Sequence, residues 1–111
     1  MSAWKACDLR GPYPAEVSPE LFHSIGRAAA SSLPAGAACL VAGDFRITTP
    51  ILKRALADGL VASGARVVDA GQVATPIAYH AHGEWRTDAV FIITASHNPP
   101  GHNGLKIMLG N

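Results

Sequence analysis

Apolar runs of strand length alternate along this chain with segments whose apolar positions repeat at helical spacing. The runs Ala38 to Ala42, Arg66 to Ala70 and Ala89 to Thr94 are short and largely apolar. They predict strands buried on both faces, unlike the strict alternation of a half-exposed antiparallel strand. Leu105 to Leu109 predicts a further strand, returning from a loop that holds Pro99, Pro100, Gly101 and Gly104. Three pairs, Ser18-Pro19, Thr49-Pro50 and Thr75-Pro76, precede the helical segments. Each predicts an N-cap hydroxyl followed by proline at the first helical position, where a missing N–H costs nothing. Behind Ser18, the residues Leu21, Phe22, Ile25, Ala28 and Ala29 mark one apolar face. Behind Thr49, Ile51, Leu52, Ala55, Leu56, Gly59 and Leu60 repeat in the same way, and Gly64 predicts the C′ stop. A shorter third helix runs from Thr75 towards Trp85.

Strand–helix–strand–helix–strand predicts right-handed crossovers and a parallel core with an antiparallel edge. The fold class is therefore α/β: three layers, with helices on both faces of a mixed, mostly parallel sheet. Functional loops of such sheets lie beyond the carboxyl ends of the strands.

The length of 111 residues allows a single domain, 1–111, and a composition of 49% hydrophobic against 15% charged residues suits a packed core. Nine Lys and Arg against eight Asp and Glu give a net charge of +1. That balance provides no basic surface for nucleic acid or a membrane, and leaves room for a local anion site. The start Met1-Ser2-Ala3-Trp4-Lys5 is not followed by the apolar stretch of a signal peptide, and no run approaches the ~20 residues that span a bilayer. A soluble, cytoplasmic protein is expected, with Cys7 and Cys39 as thiols rather than a disulfide.

The strand ending at Ile93 runs into Thr94-Ala95-Ser96-His97-Asn98-Pro99-Pro100-Gly101-His102-Asn103-Gly104-Leu105-Lys106, where hydroxyls, amides, two imidazoles and a lysine gather. Backbone N–H groups of a Gly-containing loop can form an anion-binding concavity. The residues by themselves suit a phosphate-binding loop or a nucleophilic serine; a polar turn whose hydroxyls satisfy their own backbone is the alternative.

Thr94 to Pro99 followed by Asn103-Gly104-Leu105-Lys106 resembles the phosphoserine loop of the α-D-phosphohexomutases. Three weaker similarities fall in order upstream: Asp8-Leu9-Arg10-Gly11, Gly43-Asp44-Phe45-Arg46 with Thr48-Thr49-Pro50, and Gly71 to Pro76. The opening Lys5 to Gly11 is more similar to bacterial phosphomannomutase/phosphoglucomutase than to the phosphoglucosamine mutases. The resemblance implies the first domain of a phosphosugar mutase, an isomerase that exchanges phosphate between the 1- and 6-positions of a hexose phosphate. It implies Ser96 as the phosphoserine, Lys106 and Arg10 as cationic catalytic residues, and His97, Asn98 and Thr94 as phosphate- or substrate-loop residues. It also implies Mg²⁺ bound through the phosphate on Ser96, and a hexose 1,6-bisphosphate as intermediate and activator.

Other residues have plainer readings. Asp44 and Arg46 read as a structural ion pair bracing the loop, and His102 as a solvent-exposed loop residue. His80 and His82 stand two apart, a spacing that puts them on different helix faces and argues against a metal pair. Trp4 and Trp85 read as packing residues. Three features depart from the family pattern: Cys7 in place of the common tyrosine, Thr48-Thr49 for Ser-Ser, and Ala89 for a frequent glycine. The family's metal motif Asp-Gly-Asp-x-Asp-Arg and its second to fourth domains are absent, and Asn111 follows the last predicted strand with no closing helix. A truncated first domain, incomplete at its C-terminus and inactive alone, is therefore expected, with the missing domains of its own chain as partners. The alternatives are a non-catalytic phosphosugar-binding or interaction module, and a phosphoglucosamine-type mutase.

Overall fold

The apolar runs form three adjacent strands of a five-stranded sheet. The computed structural model describes residues 5–72, 75–94 and 101–109, apart from the side chains of residues 5–7, 75, 76 and 79. Its elements are β1 (Lys5–Pro12), α1 (Pro19–Ser31), β2 (Ala38–Gly43), α2 (Thr49–Ala62), β3 (Arg66–Gln72), α3 (Thr75–Trp85), β4 (Ala89–Ile93) and β5 (His102–Leu109). β4, β2 and β3 are parallel neighbours, while β5 runs antiparallel to both β4 and β1. Four of the five strands thus point the same way. The antiparallel strand is not at the edge, as the sequence predicts, but is inserted between β4 and β1.

Strand pleating divides the core into two layers. Cys39, Val41, Phe91, Ile93 and Leu105 face α1 and α2, where they meet Val17, Phe22, Leu52, Leu56 and Leu60. Leu40, Ala42, Val90 and Ile92 face the other way and meet Ala78 and Ala81 of α3. The three-layer expectation holds. Each large side chain fully removed from water contributes roughly 1.5–3 kcal/mol, and β2 and β4 carry half of the twelve largest because both their faces are covered.

Ser18 caps α1 as predicted, its Oγ accepting from Leu21 N–H at 3.1 Å, with Pro19 in the first turn. The buried positions of α1 are Phe22, Gly26 and Ala30, whereas Ala28, read as part of the apolar face, is exposed. The cause is a close helix pair: a Cβ on Gly26 would strike the Leu56 carbonyl oxygen, and one on Gly59 the His23 carbonyl oxygen. α1 is thereby turned so that its small residues meet α2. In α2 Leu52, Leu56, Gly59 and Leu60 are buried, but Ile51 is exposed in the first turn. α2 ends as predicted: Gly64 has φ +93°, its N–H bonds to Val61 O at 3.0 Å, and Ala65 N–H bonds to Leu60 O at 3.0 Å. These two bonds form a Schellman motif.

Three sequence readings fail for physical reasons. β1 is not predicted as a strand, because as an edge strand with an open face it mixes Asp8 and Arg10 with Leu9. β3 is predicted to be buried on both faces, yet it forms the other edge of the sheet and is half-buried to exposed throughout. Trp85, at the end of α3, is 56% exposed rather than packed; the position of Trp4 lies outside the described residues. Among the described residues, no helix is long and apolar enough to cross a membrane.

Candidate functional site

The carboxyl ends of β2 and β4 meet at one corner of the sheet, and the segment after β4 leaves from there. Asp44 N–H donates to Ile93 O at 3.0 Å, and Thr94 N–H donates to Gly104 O at 3.0 Å. Thr94 is buried. Tyr13 N–H donates to Gly101 O at 2.9 Å. Both ends of the segment 95–100 are therefore anchored to the sheet. Ser96, His97 and Asn98, the central candidates of the sequence reading, lie outside the described residues.

A buried polar brace stands beneath this corner. Asn103 is fully buried, and its Nδ2 donates to Thr48 Oγ1 at 2.8 Å and Thr49 Oγ1 at 3.1 Å. Its Oδ1 accepts from Gly104 N–H at 2.8 Å. Thr49 Oγ1 in turn donates to Asp44 Oδ1 at 2.7 Å. This corrects the predicted N-cap: Thr48 occupies that position without a side-chain capping bond, and the Thr49 hydroxyl is committed to Asp44. Asp44 also accepts from Arg46 N–H at 3.1 Å, and Arg46 Nε lies 3.4 Å from its other oxygen. Arg46 Nη1 reaches across to donate to His102 O at 3.2 Å. The Asp44–Arg46 pair is the structural brace that the sequence suggests, and it joins the β2–α2 loop to the start of β5. Asn103 as the hub is not among the sequence-predicted residues. Its sequence signal is an Asn-Gly pair at the mouth of a strand, where a buried amide can bond to both flanks.

Arg10 and Lys106 come together on one face. In the β1–β5 register Asp8 stands opposite Lys106, Arg10 opposite Gly104 and Pro12 opposite His102, so alternate residues share the face away from α1 and α2. Gly104 is a close backbone approach in that face. A Cβ there would strike Leu9 O and come within 2.9 Å of Thr94 O and 3.0 Å of Arg10 Cγ. The Arg10 stem therefore packs beside Gly104. Arg10 Nη2 is 4.0 Å from Asp8 Oδ2 with both side chains substantially exposed, a pair too loose to occupy the guanidinium. Lys106 has no carboxylate within ion-pair distance among the described residues.

Of His80, His82 and His102, only the last departs from its sequence reading. His82 is buried and its Nδ1 lies 2.6 Å from Thr87 Oγ1, while exposed His80 lies 3.9 Å from Glu84. Neither faces the other as a metal pair would. Among the described residues, no group of three or more His, Cys, Asp or Glu could hold a metal ion. His102 is no exposed loop residue: it opens β5 and is half-buried, because Pro12 pairs with it and Arg46 holds its carbonyl. Cys39 is a free, buried thiol, pushed up to about 11 by burial and then by the charge of Asp88.

This arrangement can hold an anion. It offers two cations on a sheet face at the end of a strand, with a rigid brace below. The family model described as phosphoglucomutase/phosphomannomutase, alpha/beta/alpha domain I, matches residues 2–111. A phosphomannomutase/phosphoglucomutase of Pseudomonas aeruginosa is 39% identical over 97% of this chain, and a probable phosphoglucosamine mutase of Thermococcus gammatolerans is 39% identical over 93%. The chain spans 24% and 23% of those two proteins. The crystal structure of a phosphoglucomutase/phosphomannomutase family protein from Burkholderia thailandensis superposes with a TM-score of 0.86 at 42% identity, covering 95% of this chain and 25% of that one.

Proposed function

Because the chain belongs to the phosphoglucomutase/phosphomannomutase family, as its alpha/beta/alpha domain I, we propose that it carries the phosphoserine of a hexose phosphate mutase, at Ser96. One observation supports this most. Arg10 and Lys106 share the sheet face beside the anchored ends of the segment that contains Ser96.

The chemistry is an exchange. A hydroxyl oxygen of the sugar phosphate bonds to the phosphorus on Ser96, the bond to Ser96 Oγ breaks, and the hydroxyl proton ends on Ser96 Oγ. The product is a hexose 1,6-bisphosphate, which also serves as activator. After it reorients, its other phosphoryl group passes back to Ser96 Oγ, so the 1- and 6-phosphates interconvert. Phosphoryl transfer depends mainly on positioning and charge stabilisation. Arg10 and Lys106 neutralise the phosphoryl oxygens, while Thr94, His97 and Asn98 flank Ser96 in the chain and orient the group. The brace through Asn103 and Asp44 fixes the two flanks, so little reorganisation accompanies transfer.

The family implies Mg²⁺. The described residues do not fit such an ion by themselves, since they contain no carboxylate cluster. The contribution of this chain is the phosphate on Ser96, and other ligands come from segments outside these 111 residues. Those segments, the family's remaining domains, are the proposed partners. The substrate is stated as a class, since relatives of equal identity are named for mannose and glucose phosphates and for glucosamine phosphate. Such charged sugars do not cross membranes unaided, so the reading carries a cytoplasmic location with it.

Incubation of the full-length protein with ³²P-labelled glucose 1,6-bisphosphate followed by peptide mapping tests the reading. Label on Ser96, lost in Ser96→Ala, is expected; label found solely on another residue refutes it. The 111-residue chain given glucose 1-phosphate, the bisphosphate and Mg²⁺ is expected to show no turnover. Turnover would refute the need for further segments.

A further inference from the structure

Among the described residues no strand pairs with the outer side of β3. Arg66 N–H donates to Ala37 O at 2.8 Å, so the backbone of Arg66 faces β2. Backbone groups alternate between the two sides of a strand. The N–H and C=O groups of Val67 and Asp69 therefore point outward, along an open edge. That edge is short, because Gly71 turns away with φ +79° and gives its N–H to Asp69 Oδ1 at 2.7 Å. A cleft of about 330 Å³ lies between this edge and α2. Val41 and Val67 of the sheet and Pro50 and Ala57 of α2 give it apolar walls, and Lys53, Arg54 and Asp69 complete the lining. The charges there are unequal. The Asp69 carboxylate is taken by Lys53 at 2.8 Å, whereas Arg54 is exposed and has no carboxylate partner among the described residues.

We propose that β3 and this cleft accept an extended acidic segment of a partner protein, which adds to the sheet as a further strand. An apolar side chain of that segment fills the cleft, and an acidic one lies beside Arg54. The outward backbone groups of Val67 and Asp69 supply the pairing, while the cleft and Arg54 select the sequence. The charge of the cleft is what identifies the occupant. A second copy of this chain is a poorer match: antiparallel pairing of β3 with β3 about a two-fold axis brings Lys53 and Arg54 of both copies to one face. The carboxylates it adds are the two Asp69 groups, each already held by its own Lys53, and like charges across a strand pair are destabilising. An acidic strand instead gives Arg54 its missing partner. The inference is independent of the role of Ser96, since β3 is at the opposite edge of the sheet from β1.

The test titrates the full-length protein into a fluorescein-labelled peptide, Thr-Val-Thr-Glu-Thr-Val-Thr, and follows anisotropy. Its Val and Glu side chains share one face of an extended strand. Saturable binding is expected, weakened about fivefold or more when Lys replaces Glu. Arg54→Glu changes an exposed side chain and should invert that preference. Two further peptides need no variant of the protein. N-methyl groups on alternate residues block one edge of a peptide at a time, so one methylated peptide should lose binding and the other keep it. Absence of saturable binding overturns the inference. So does a Glu-over-Lys preference that Arg54→Glu leaves unmoved, or equal behaviour of the two methylated peptides. A dimer in sedimentation velocity that the peptide breaks up assigns the edge to a second copy, and overturns it as well.

Discussion

Replacing Asn103 by alanine removes three hydrogen bonds at once from a fully buried side chain. Two are donated to Thr48 and Thr49, and one is accepted from Gly104 N–H. Each bond contributes about 1 kcal/mol net. The Thr48 hydroxyl is half-buried and regains water, so its share is discounted. Thr49 keeps its bond to Asp44, and the remaining loss includes a small void where the amide stood. The sum is about 2–3 kcal/mol, a large part of the 5–15 kcal/mol typical of a whole domain. With a urea slope of about 1–3 kcal/mol/M, the midpoint of unfolding by circular dichroism should fall by about 1–2 M. Asn103→Asp preserves shape but turns the donor towards hydroxyls as an acceptor, close to the Asp44 carboxylate, and should cost at least as much. A midpoint within about 0.3 M of the parent for Asn103→Ala, with the slope unchanged, would refute the view that this brace holds the site corner.

Other substitutions and conditions test separate parts of the structure. Gly59→Ala drives a methyl group into the His23 carbonyl at the α1–α2 contact; thermal unfolding should show a loss of about 2 kcal/mol or more. Because burial and Asp88 push the Cys39 thiol up to about 11, alkylation mapped by mass spectrometry at pH 8 should leave Cys39 unmodified until urea unfolds the chain. Burial of Asp69 alone would raise its pKa, but the bonds from Lys53 and Gly71 and the Lys53 charge outweigh it and lower the pKa. A lowered folded-state pKa adds stability above the unfolded value of about 3.9 that is lost as pH falls through the folded value. Asp69→Asn should therefore lose less stability than the parent on going from pH 5 to pH 3, by a small margin because the carboxylate is exposed.

What the sequence made legible was local chemistry with one available partner. Ser18 before Pro19 caps a helix because its hydroxyl has nothing else to bind, and Gly64 ends α2 because few residues accept that backbone conformation. Thr49 before Pro50 carries the same signal, yet its hydroxyl goes to Asp44, five residues back in the loop after β2. The strand period of β4 is plain, since both its faces are apolar. β1 escapes notice because an edge strand with one open face needs little apolar pattern. The candidate loop can be placed from its motif alone. That Arg10 and Lys106 share a face across Gly104 depends on the pairing of two strands far apart in the chain, which no local window contains.

The insertion of β5 between β1 and β4 also dictates the order of assembly. Lys5 pairs with Leu109 and Arg10 with Gly104, so β1 is without its neighbour until all the other elements of this sheet have been made. The parallel part, β2 with β3 and β4, can form earlier because its partners are joined by α2 and α3. Pairing between such distant segments carries the largest loop-closure cost and is slow to form. Arg10 waits on an unpaired strand while the chain is synthesised, and its juxtaposition with Lys106 is among the last events in the folding of this sheet. The meeting of these two cations thus coincides with closure of the sheet.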